Sequence, residues 1–177
     1  MKHQTSTPQG QQPPSCEWAA GVATDVQTRI DTAQRQREAV EAAAARLTAA
    51  VVTEGLLWLA RLEAELNAAA AAFNTRIGRA VITVVRAPSG RLIFTVSGEE
   101  GNASVVVMPL LQTGYQAPKP GATVSITRYG CTNVTPFDFD LADDRLCMRR
   151  AGDSLGPEAF AQAILTPFLA GLALGGR

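Results

Sequence analysis

The carboxylates Asp138, Asp140, Asp143 and Asp144 are the densest set of ligating side chains in the sequence. Oxygens at alternate positions are what a calcium loop uses, with a glycine at its sixth place and a bidentate glutamate at its twelfth. Counted from Asp138, the third alternate position is Ala142, the sixth place is Asp143 and the twelfth is Arg149. The metal pattern fails, and these carboxylates read as a turn and the solvated face of a strand. Glu99 and Glu100 could serve as an acid–base pair. Adjacent residues in a turn point in different directions, however, so they read as charged turn residues. The one histidine, His3, lies in a polar tail. No folded histidine remains to activate a serine or cysteine, and no serine is expected in a nucleophile elbow. Phosphate loops of the GxxxxGK[ST] type and GxGxxG turns are absent. Two lysines, Lys2 and Lys119, leave Schiff-base chemistry without a core candidate. The expectation is a protein that is not an enzyme and holds no cofactor or metal.

Arg76, Arg79, Arg86 and Arg91 gather where the helical pattern gives way to strands. Such arginines commonly satisfy the last carbonyls of a helix and nearby acids. The alternative is a site for a phosphate or acidic ligand, with Arg86 and Arg91 as the binding pair. Sixteen basic residues balance sixteen acidic ones, so no general attraction to nucleic acid or an anionic membrane is indicated. Cys16, Cys131 and Cys147 are odd in number, far apart, and without a CxxC pair. With a polar, proline-rich first stretch in place of a secretory leader, they read as reduced thiols in a cytoplasmic protein. A Cys131–Cys147 disulfide is the other reading.

These residues depend for their positions on one dominant element. From Glu17 to Ile77 apolar or small residues recur at steps of three and four, and no proline interrupts them. Alanine, glutamate, glutamine, leucine and arginine dominate, all good helix formers. A helix of this length runs roughly 90 Å, whereas a body made from the remaining residues has a radius of gyration near 13 Å. Its stripe therefore needs another helix. Val26, Ile30, Leu47, Val51, Trp58, Leu62, Leu66 and Phe73 are the expected contacts between chains. The step averages about 3.7 residues, nearer an eleven-residue repeat than a heptad, which implies a nearly straight or slightly right-handed bundle. Between Val51 and Leu62 the helix is apolar almost all round, which predicts burial on every face. Gly55 could open a hairpin there, but the stripe passes it without a phase slip and continuity is expected.

From Arg79 the period falls to two. Val81–Val85 and Leu92–Val96 flank Pro88-Ser89-Gly90, a hairpin expected to set Val85 against Leu92. Glu99 to Asn102 makes the next turn, and Ser104–Met108 the next strand, limited or placed on an edge by Pro109. Gln112–Gly121 reads as a loop and Thr123–Tyr129 as a strand. A two-residue turn at Asp143-Asp144 would pair Leu141 with Leu146 and Phe139 with Met148, separating an apolar face from a charged one. Pro157 and Glu158 open a last helix whose Phe160, Ile164, Phe168 and Leu172 cover the sheet. Ala159–Gly176 carries no charge, so a membrane tail is the competing reading; Gln162, Thr166, Pro167 and the glycines argue against it.

The expected fold is therefore α+β. A long N-terminal helix forms a helical-bundle or coiled-coil arm, followed by an antiparallel meander of about five to six strands and a C-terminal helix. The expected divisions are a disordered tail over 1–16, an oligomerisation helix over 17–78, and the sheet with its covering helix over 79–177. The long stripe and the lack of a catalytic constellation point to a non-enzymatic, self-associating interaction or scaffold protein, whose partners are itself and another protein. A small-ligand or phosphate-binding domain and a tail-anchored membrane adaptor are the alternatives.

Overall fold

The computed structural model describes residues 17–98, 101–111, 119–128 and 130–173. The chain divides into two units, Met1–Ala43 and Ala44–Arg177. The division falls inside the first helix rather than at residue 78, because from about Leu47 onward that helix is part of the core of the second unit. The expected tail over residues 1–16 lies outside the described residues.

Helix α1 (Glu17–Ile77) is unbroken. Gly55 does not open a hairpin. A Cβ at that position would come within 3.0 Å of Leu111 Cδ2, so the missing side chain makes room for a leucine that follows the third strand. Among the described residues of the first unit the helix makes local side-chain contacts. Gln27 Nε2 donates to Asp31 Oδ1 at 2.8 Å, Gln34 Nε2 to Glu38 Oε1 at 3.0 Å, and Thr24, Thr28 and Thr32 donate back to carbonyls one turn earlier.

The C-terminal end of α1 is clipped to the sheet. Gly78, at φ 76°, takes the left-handed conformation that ends a helix, and its N–H donates to Asn74 O at 2.9 Å. The Asn74 side chain then reaches forward. Its Oδ1 accepts from the N–H groups of Val81 and Ile82, both at 2.9 Å, and its Nδ2 donates to Ile82 O at 2.8 Å.

Seven strands follow in sequence order, each antiparallel to the next: β1 (Ile82–Arg86), β2 (Leu92–Gly98), β3 (Gly101–Leu110), β4 (Gly121–Arg128), β5 (Cys131–Ala142), β6 (Arg145–Arg150) and β7 (Asp153–Leu155). The last strand, only three residues long, was not legible as one. In the first hairpin Val85 stands opposite Ile93, one place from the expected register, because the connection runs from Ala87 to Arg91 and Ala87 N–H donates to Arg91 O. A one-residue slip exchanges faces, and here it turns Ile82 inward and Val85 out, where Val85 is 55% exposed. The Asp143-Asp144 turn pairs Leu141 with Leu146 and Phe139 with Met148 as expected. Both aspartates have positive φ, 50° and 57°, the backbone of a type I′ turn. Pro109 lies in β3 beyond Val107, the last residue there that pairs with β2. Its missing N–H therefore points to no strand.

One face of the sheet carries Leu92, Phe94, Val105, Val107, Val124, Phe139 and Met148, all buried together with Val51, Trp58, Leu62 and Leu66 of α1. Helix α2 (Pro157–Ala173) adds Phe160, Ala161, Ile164, Leu165 and Phe168 to the same core. Trp58 packs edge-on to Phe139 at 5.3 Å and tilted to Phe160 at 5.6 Å, while Phe137 meets Phe160 edge-on at 5.1 Å. These geometries suit the ring quadrupoles. Pro167 inside α2 removes the N–H that would bond Ala163 O. Arg150 Nη1 donates to that carbonyl at 3.1 Å instead. Arg128 lies over the Phe168 ring at 5.2 Å and donates to Pro167 O.

Candidate functional site

The stripe predicted to join chains has two fates. In the first unit Val26 is 49% and Ile30 52% exposed, and Trp18, Val22 and Val40 on the same stripe are 75%, 53% and 68% exposed. In the second unit Val51, Trp58, Leu62 and Leu66 are each under 5% exposed, and Leu47 and Phe73 are half-buried against the same core. Val51, Trp58, Leu62 and Leu66 fill the chain's own core and Leu47 and Phe73 pack against it, so in the second unit the chain's own elements meet the stripe. A continuous sequence stripe does not reveal where its cover changes.

The stretch expected to be buried on every face is buried on one only. Val52, Leu56 and Leu57 are 73%, 63% and 53% exposed. The outer face of the sheet is open as well. Paired positions put Val85, Ile93, Val106, Ser125 and Val134 in one row across five strands, and Thr83, Thr95, Ser104, Thr127 and Thr132 in the next. Both rows are uncharged.

The polar candidates are dispersed. Asp140 pairs with Arg149 at 2.7 Å and Asp144 with Arg46, while Asp138 stands opposite Arg149 across the strands. Among the described residues no three carboxylate, cysteine or histidine side chains converge as metal ligands would. Glu99 and Glu100 lie outside the described residues. Arg86 is engaged by Glu63 at 3.1 Å. Arg91, one turn of hairpin away, is exposed. Cys131 and Cys147 are both free thiols, the first exposed and the second buried. Cys147 faces Asp140, nine positions along β5 from Cys131, about 30 Å at the rise of a strand, so a disulfide between them is excluded in this fold.

One spelling passed unnoticed in the sequence. Gly152-Asp153-Ser154-Leu155-Gly156 reads G-x-S-x-G, the nucleophile-elbow string. An elbow needs its serine on a strained turn between strand and helix. Here Ser154 is the middle of β7, paired with Arg149, and the positive φ values fall on Ala151 and Gly152. The string is a turn and a short strand. By length and composition alone α1 could cross a membrane, although 22% of its most apolar window is buried; in α2, Phe160, Ala161, Ile164, Leu165 and Phe168 lie in the core. Comparison with known proteins returns no match: no family, no curated protein and no solved structure is significantly similar to the chain.

Proposed function

We propose that the chain is a non-enzymatic, self-associating interaction or scaffold protein. In this reading residues 17–43 of α1 make the contact between copies, and the two uncharged rows on the outer face of the sheet are the surface offered to another protein. The observation that supports it is the exposure of Trp18, Val22, Val26, Ile30 and Val40 along one stripe of a helical segment with no covering element among the described residues of its unit. An isolated helix is marginal in water even when alanine-rich, because most helical stability comes from packing an apolar face. Covering a half-exposed Val or Ile contributes roughly 1 kcal/mol, about half the full burial value. Four such positions and Trp18, repeated on two copies, supply the burial that this reading sets against the cost of association. Free thiols at Cys131 and Cys147 suit a reducing compartment.

The test is sedimentation equilibrium of the full chain and of a Val26→Asp/Ile30→Asp variant. The unmodified protein is expected to be a dimer or larger, and the variant a monomer with the sheet's circular dichroism intact. An unmodified protein that stays monomeric at high concentration overturns the reading. Substituting Leu62 and Leu66 instead cannot make this test, since both are core residues and aspartate there unfolds the second unit.

A further inference from the structure

We infer that the cavity between α1, the β5–β6 hairpin and the start of α2 is a binding site for a small monocarboxylate with an apolar body. The cavity has a volume of about 650 Å³, within the range of sites that take drug-sized ligands. Leu57, Trp58 and Leu146 give it apolar walls, and Glu54, Arg61 and Arg145 give it charge. Neither Arg61 nor Arg145 makes an ion pair among the described residues, in contrast to Arg46, Arg86 and Arg149. Two guanidinium groups against one carboxylate leave the site one positive charge, which suits a monoanion better than a phosphate dianion. A guanidinium offers a carboxylate two parallel N–H donors, the geometry that makes such pairs strong.

One further feature of the same wall favours an anion there. The rim is also formed by Gly156 and Pro157, where α2 begins. Gly156 O accepts from Phe160 N–H, which makes it the N-cap, and glycine has no side chain with which to cap the free amides of the first turn. The positive end of the helix dipole therefore adds to the two arginines.

The experiment uses the full chain with Trp18→Phe, so that Trp58 is the sole tryptophan, and titrates sodium octanoate against octanol while its fluorescence is read. Octanoate is expected to give a saturable change with Kd below about 1 mM, and to bind at least tenfold tighter than octanol. Arg61→Gln/Arg145→Gln is expected to weaken octanoate at least tenfold and leave octanol unchanged, with circular dichroism confirming the fold, since both arginines are exposed. Arg86→Gln/Arg91→Gln is expected to change nothing. The inference is overturned by an absence of saturation, by octanol binding as tightly as octanoate, or by an unaltered affinity in the Arg61/Arg145 variant. None of these outcomes depends on whether the chain self-associates.

Discussion

Asn74→Ala tests how α1 is fastened to the sheet. The Asn74 side chain makes three hydrogen bonds to Val81 and Ile82, all between 2.8 and 2.9 Å. At a net value of about 1 kcal/mol each, their loss costs roughly 3 kcal/mol. Alanine recovers about half a kilocalorie as the better helix former, leaving a net destabilisation of about 2–3 kcal/mol. Ile82 N–H and Ile82 O are part-buried at the start of β1, so water replaces the lost partners poorly. The assay is urea unfolding followed by the sheet's circular dichroism. It should be run in the Val26→Asp/Ile30→Asp background, so that association does not make stability depend on concentration. With a urea slope of about 1–3 kcal/mol per molar, the midpoint should fall by about 0.7–3 M without a change in slope. Amide exchange at Val81 and Ile82 should accelerate at the same time. A loss below about 0.5 kcal/mol refutes the reasoning, because it would mean that burial of Phe73 and Ala70 alone holds this end of the helix.

Gly121→Ala should be the most damaging single methyl in the sheet. Its Cβ would lie 2.1 Å from Phe137 O, a backbone atom held in the β4–β5 ladder, so the strain cannot be relieved by a rotamer change. A cost of about 3 kcal/mol is expected by thermal unfolding, and a change within 0.5 kcal/mol would contradict the close approach. Arg150→Met should cost about 1 kcal/mol by leaving Ala163 O without its donor. Pro167→Ala restores the helical N–H, so in that background the same substitution should cost almost nothing; additive effects in the double-mutant cycle would show that Arg150 has another role.

The fold was legible where local chemistry and periodicity agree. Phe139 and Met148 face each other because a two-residue turn at Asp143-Asp144 allows one register that keeps the apolar face together. Continuity through Gly55 followed from the unbroken stripe. The first hairpin slipped by one place because a four- and a five-residue loop both fit Ala87 to Arg91, and both registers leave Val and Ile on either face. The strand Asp153–Leu155 is too short and polar to carry a period. The cavity was not legible at all. Its Trp58 and Arg61 stand one turn apart on α1, but Arg145 comes from a strand more than eighty residues later, and no spacing in the sequence joins it to them.

The α1 stripe carries a different lesson about what a periodic pattern means. Val26 and Leu62 hold equivalent positions in one repeat, yet one is 49% exposed and the other wholly buried. Periodicity reports that a face needs covering; it does not report whether the cover comes from the same chain. Under the proposed self-association, that distinction would separate folding from association within a single helix. A polar residue at Leu62 introduces an unpaired charge into the core and should abolish the cooperative transition of the second unit. The same residue at Val26 faces solvent in the lone chain, so its folding stability should be nearly unchanged while association is lost. If Val26→Asp instead destabilises the sheet by more than about 1 kcal/mol in a chain already monomeric, the two halves of the stripe are not independent, and the division of labour along α1 fails.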